Sequence, residues 1–123
     1  ALNLRAPYLL GREALREMIP RGSGYLINVV STCALRHPSP MGIYSAMKSG
    51  LASLSLVMMK EAQPHGIKVS TLYPGGVDTP FRAEAKPHYM QPASVATTLV
   101  TLLTLPADVV VHEMTFRPPS ELE

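Results

Sequence analysis

Tyr44 stands four residues before Lys48 in the stretch YSAMKSG, within a segment of helical composition. On a helix, residues four apart share a face, with Cβ atoms about 5–6 Å from one another. A free tyrosine, with a pKa near ~10, is a poor proton donor or acceptor at neutral pH. A neighbouring ammonium favours the phenolate, which makes a tyrosine usable as a general acid or base. Tyr-x-x-x-Lys also arises by chance in many helices, so its neighbours matter. Ser31 lies thirteen positions earlier, at the carboxyl end of the apolar run YLINVV (25–30). Ligands of open α/β sheets bind outside the carboxyl ends of the strands. A hydroxyl there can orient a carbonyl oxygen toward a proton donor. The next apolar run ends in YPGGVDT (73–79), whose glycines would let backbone approach a ligand closely. Three separate segments are therefore expected at one edge.

The elements that must position these residues alternate along the chain. Residues 2–19 place Leu2, Ala6, Leu9, Leu10, Ala14 and Met18 at helical spacing, with Arg5, Arg12, Glu13, Arg16 and Glu17 on other faces. PRGSG (20–24) ends that helix. YLINVV reads as a strand buried on both faces of a parallel sheet. STCALRHPSPMG reads as a loop, 43–63 as a helix, 67–73 as a strand and 74–90 as a long irregular segment. Pro92 suits the first turn of a helix running to about Leu105, and 109–116 reads as a third strand. This alternation predicts an α/β fold, a parallel sheet with right-handed crossovers. Three strands alone leave two open edges and a thin core. No Ser, Thr, Asp or Asn precedes the first helix as a cap. The expectation is that residues 1–123 form the C-terminal portion of a single, larger doubly wound domain.

Composition narrows the function classes. The chain has 123 residues, 46% of them hydrophobic, enough for one small domain with a core. A net charge of +2 with scattered lysines and arginines speaks against a nucleic-acid partner. The single Cys33 allows no internal disulfide and fits a reducing compartment. No start resembles a signal peptide, and no apolar run reaches the ~18 residues needed to cross a bilayer. A cytoplasmic protein without a membrane partner is expected. His65 and His112 lack companions at ligand spacing, so no metal is expected. Cys33 and His37 have no G-x-S-x-G elbow or third member beside them. They read as a small buried thiol and a loop histidine, either of which can line a pocket.

Taken together, Ser31, the Tyr44–Lys48 pair and the Pro74-Gly75-x-Val77-x-Thr79 segment resemble the catalytic half of the short-chain dehydrogenase/reductase family. The resemblance runs from about Asn3 to Phe116. It implies a Rossmann-like doubly wound parallel sheet with flanking helices, and hydride transfer between NAD or NADP and a carbonyl or alcohol. By the same resemblance, Tyr44 is the general acid in reduction and the base in oxidation. Lys48 lowers its pKa and binds the nicotinamide ribose, and Ser31 holds the substrate oxygen. Asn3 matches the helix asparagine that positions a water in a proton relay to Lys48. Pro74, Gly75 and Val77 would line the nicotinamide, and Thr79 would bond its carboxamide. Asn28 matches a frequent family residue without a chemical role. The family's N-terminal glycine-rich turn, which cradles the pyrophosphate, has no counterpart in this sequence; nor has the asparagine-rich segment after its fourth strand.

Helix 43–63 is apolar almost all round, with Ser45, Ser49, Ser53 and Lys60 as its narrow polar stripe. Such a helix is buried on more than one side. Since the family's corresponding helix commonly packs against its mate, the resemblance implies a homodimer or homotetramer; otherwise a missing half covers this surface. Segment 80–91 covers the substrate in the family, and Phe81, Tyr89 and Met90 suggest an apolar pocket. A second reading also stands: a truncated, non-catalytic fragment that binds a partner through the open sheet edge beside YLINVV.

Overall fold

The computed structural model describes the backbone of residues 2–80 and 84–121, and the side chains of 4–80 and 84–121. The Asn3 side chain and Phe81 therefore lie outside the described residues. In chain order the elements are α1 (Leu2–Arg21), β1 (Gly24–Val29), α2 (Cys33–Arg36), α3 (Gly42–Ala62), β2 (Ile67–Pro74), α4 (Pro92–Leu103) and β3 (Glu113–Phe116). A single 3-10 turn, Gln63–His65, leads out of α3. The three strands form a parallel sheet in the order β1-β2-β3. Gly24 to Val29 pair with Ile67 to Leu72, and Thr71 to Pro74 pair with Glu113 to Phe116. The expected α/β architecture, a parallel sheet flanked by helices, is present.

Strand side chains alternate between faces, and one face of this sheet meets α3. Ile67 and Val69 of β2 form a buried cluster with Met58 and Ala62 of α3, joined by Leu26 of β1 and by Leu15, Met18 and Ile19 of α1. Val30 and Tyr73 form a second cluster with Leu51 and Ala52. Each fully buried Val, Leu, Ile or Met among these contributes about 1.5–3 kcal/mol on leaving water. As β2 is followed toward its carboxyl end, its partners on α3 step back from Ala62 through Met58 to Leu51. The helix therefore delivers its first turn, with Tyr44, to the carboxyl edge of the sheet.

Four local expectations change. The loop after β1 contains a helical turn, α2, closed by His37 in the left-handed region at φ 52° with its N–H on the Cys33 carbonyl. The third strand is Glu113–Phe116 rather than 109–116. Residues before it reach the sheet by other bonds: Lys68 Nζ donates to the carbonyls of Pro106 and Val109, and Ser70 Oγ to that of Val111. Among the described residues β1 is only partly buried rather than buried on both faces, and Val29 is 42% exposed. Finally, the serine stripe of α3 does not face solvent as a unit. Ser45 is buried, Ser49 donates to the Ala34 carbonyl at 3.4 Å, and only Ser53 and Lys60 are exposed. Small hydroxyls suit a tight interface as well as water. Among the described residues, no helix is long and apolar enough to cross a membrane.

Candidate active site

Beyond β1 the backbone stays beside the end of β2. Val30 N–H donates to the Leu72 carbonyl at 2.7 Å, and Thr32 N–H to the Pro74 carbonyl at 3.2 Å. These bonds set Ser31 and Thr32 against Pro74 and Gly75 at the carboxyl edge. Ser31 Oγ accepts the Cys33 N–H at 3.1 Å, which starts α2. That bond uses an oxygen lone pair and leaves the hydroxyl proton available as a donor. Ser31 thus serves the turn and keeps the capacity for which its position singles it out.

A cleft of about 440 Å³ opens there, lined by Val30, Ser31, Thr32, Cys33 and Met41, by Tyr44, and by Pro74, Gly75, Val77 and Thr79. Six of the eight site residues expected from the sequence share this lining. Lys48 stands behind Tyr44, with Nζ 5.6 Å from its ring centroid. Burial lowers the Lys48 pKa from its usual 10.5, and the nearby Cys33 sulfur partly offsets that effect. Asn3 is the remaining member, and its side chain lies outside the description. Cys33 lines the cleft and His37, exposed on α2's exit, does not. Val30, Thr32 and Met41 are lining residues that sequence reasoning missed, since no pattern marks which loop side chains turn inward.

The glycines of the PGG turn are also crowded by the protein itself, while Gly75 lines the cleft. A Cβ on Gly75 would collide with the Glu121 carboxylate and the Arg117 stem, and one on Gly76 with the Tyr89 ring. Glu121 Oε1 accepts the Gly76 N–H at 3.1 Å, while Oε2 lies 3.8 Å from Arg36 Nη1. The chain's own tail and its 84–90 segment pack on these glycines. Met90 N–H donates to the Gly76 carbonyl and Asp78 N–H to that of Met90, which folds the segment back on the turn.

The residues lining the cleft carry groups capable of hydrogen bonding to, and exchanging protons with, an oxygen. The cleft offers hydroxyls from Ser31, Tyr44 and Thr79, with an ammonium one turn behind the phenol. Among the described residues no group of His, Cys, Asp or Glu could hold a metal. These donors fit the nicotinamide and ribose end of a dinucleotide, whereas the sequence contains no glycine-rich turn for its pyrophosphate.

A family model for short chain dehydrogenases matches residues 1–90. The chain belongs to the short-chain dehydrogenase family. An uncharacterized oxidoreductase of Staphylococcus aureus is 32% identical over 120 residues, which cover 95% of this chain and 52% of that protein. An alcohol dehydrogenase of Thermococcus sibiricus, solved with 5-hydroxy-NADP, is 26% identical with a TM-score of 0.84, over 97% of this chain and 52% of that one. Serine dehydrogenase of Escherichia coli is 23% identical with a TM-score of 0.85, over 97% and 51% of the two chains, a likeness of fold. This short-chain dehydrogenase sequence spans about half the length of the relatives it matches.

Proposed function

We propose that this chain is the catalytic half of a cytoplasmic NAD- or NADP-dependent oxidoreductase acting on a small carbonyl or alcohol substrate. The observation that carries this reading is the convergence of Ser31, Tyr44 and Thr79 on one cleft, with Lys48 beside Tyr44. Membership in the family and the NADP analogue bound to the Thermococcus sibiricus relative support it. A bound nicotinamide supplies the hydride acceptor or donor. Pro74, Gly75 and Val77 would hold its ring, Thr79 its carboxamide and Lys48 its ribose. Ser31 donates to the substrate oxygen, and Tyr44 gives that oxygen a proton in reduction or takes one in oxidation. Asn3 would hold a water that reconnects Lys48 to solvent.

The half-length match to relatives supports a further, glycine-rich half for the pyrophosphate. Titration of the intact natural polypeptide with NADH and NADPH tests the reading. A saturable change in nicotinamide fluorescence is expected; no change at millimolar cofactor would overturn it and favour a non-catalytic module that binds through the β1 edge. Pairing into a homodimer or homotetramer is proposed through α3, where Ile43 is 78% and Val57 48% exposed. Sedimentation as a monomer would contradict that.

A further inference from the structure

The interface between α3 and the sheet is apolar at both ends and polar in the middle. Between the two hydrophobic clusters lies a single layer of Asn28, Ser55 and Thr71. Asn28 Nδ2 donates to Ser55 Oγ at 2.9 Å, and Ser55 Oγ and Thr71 Oγ1 share a hydrogen bond of 2.6 Å. Asn28 and Thr71 face each other across the β1–β2 ladder. Ser55 and Thr71 are 0% and 1% exposed, so water cannot replace these bonds.

Apolar layers tolerate sliding, whereas this one does not. A shift of α3 by one turn, about 5.4 Å, would set Leu51 or Met58 opposite Asn28 and Thr71. Each polar group stranded in this way forfeits a bond it cannot recover from solvent. A lone polar layer in an apolar seam is a recognised means of fixing register. Tyr44 lies eleven residues before Ser55 (55 − 44). That is three turns, on the same side of the helix, at an axial distance of roughly 16 Å.

From this geometry we infer that Asn28, Ser55 and Thr71 are positioning residues, a register layer that sets where α3 presents Tyr44 and Lys48 against Ser31. The inference rests on the oxidoreductase reading for its functional consequence, and on the hydrogen bonds alone for its structural one. It gives Asn28 a role in setting geometry and requires of it no contact with substrate.

Paired substitutions separate hydroxyl from volume. Thr71→Val keeps the shape and removes the hydroxyl, while Thr71→Ser keeps the hydroxyl and removes a methyl. In the intact natural polypeptide, Thr71→Val is expected to lower kcat by about tenfold or more, since small misplacements of reacting groups are costly, with the cofactor KM little changed and Tm lowered because the buried Ser55 hydroxyl loses its partner. Thr71→Ser is expected to lower Tm and keep kcat within about twofold. A similar loss of kcat in both variants, following Tm, would make the layer ordinary packing and overturn the inference. If Thr71→Val does not fold, Ser55→Ala takes its place, and failure of both to fold also overturns it. Crystal structures of the parent and the folded variant read the same point without turnover. A changed Tyr44–Ser31 separation supports the register layer even if the parent proves inactive, an outcome that would sink only the oxidoreductase reading. An unchanged separation refutes the register layer.

Discussion

Lys48 Nζ lies over the Tyr44 ring, 5.6 Å from its centroid, one turn further along α3. The ammonium is thus held by the helix itself beside the phenol, in a setting where burial works against its charge. Cys33, entering from α2, is the neighbour that favours keeping the proton on Lys48.

Removing that neighbour has a defined sign. Cys33→Ser takes away the sulfur that raises the Lys48 pKa, leaving desolvation unopposed. Lys48 then loses its proton at lower pH. The alkaline limb of the kcat profile should move down in pH while the limb on the acid side stays. A limb that stayed put or moved up would show that Lys48 does not govern it.

Tyr73 provides a stability test at a residue that does not itself line the cleft. Its hydroxyl donates to Glu113 Oε1 at 2.7 Å, and burial, then that bond and the carboxylate charge, raise its pKa above 10.0. Above pH 10 the unfolded chain releases this proton and the folded chain keeps it, so the associated stability falls as pH rises. Lys48, with its lowered pKa, acts in the opposite direction below 10.5. Tyr73→Phe should therefore lower Tm at neutral pH, by the equivalent of about 1 kcal/mol for the lost bond, and should flatten the fall above pH 10. Parallel Tm–pH curves for parent and variant would contradict the assignment.

Gly76 is packed beneath the Tyr89 ring. Gly76→Ala must push that ring aside, at a cost of about 1–3 kcal/mol for an overpacked site. Restoring room with Gly76→Ala/Tyr89→Ala should recover part of the loss. Chemical denaturation of the parent, single and double variants measures it; strictly additive losses would mean the ring is not the obstacle.

Much of this was legible in the sequence because it is periodic or tied to a motif. The apolar spacing of α1 and α3 and the compact runs of β1 and β2 depend on burial, which leaves a pattern. Ser31, Tyr44 and the PGG segment sit at element ends, where the α/β layout places ligands. What escaped depends on tertiary contacts. The four residues of α2 are too few to show a period. Val109 to Val111 are as apolar as a strand, yet the Lys68 and Ser70 side chains bond the Val109 and Val111 carbonyls, and the backbone bonds to β2 start only at the His112 carbonyl. Ser45 and Ser55 look alike in the sequence, and only packing reveals that both are buried and that Ser55 has partners. The glycines at 75 and 76 announced a close approach without saying that Glu121 and Tyr89 make it.

The central claim is that the Tyr44 hydroxyl moves the proton at the reacting oxygen. The direct measurement is steady-state turnover of Tyr44→Phe in the intact natural polypeptide, with nicotinamide fluorescence as the control for cofactor binding. Loss of kcat by at least about 10²-fold with cofactor affinity retained is the expected result, matching the usual contribution of a general acid or base. Near-parental kcat in a folded, cofactor-binding Tyr44→Phe would contradict the account.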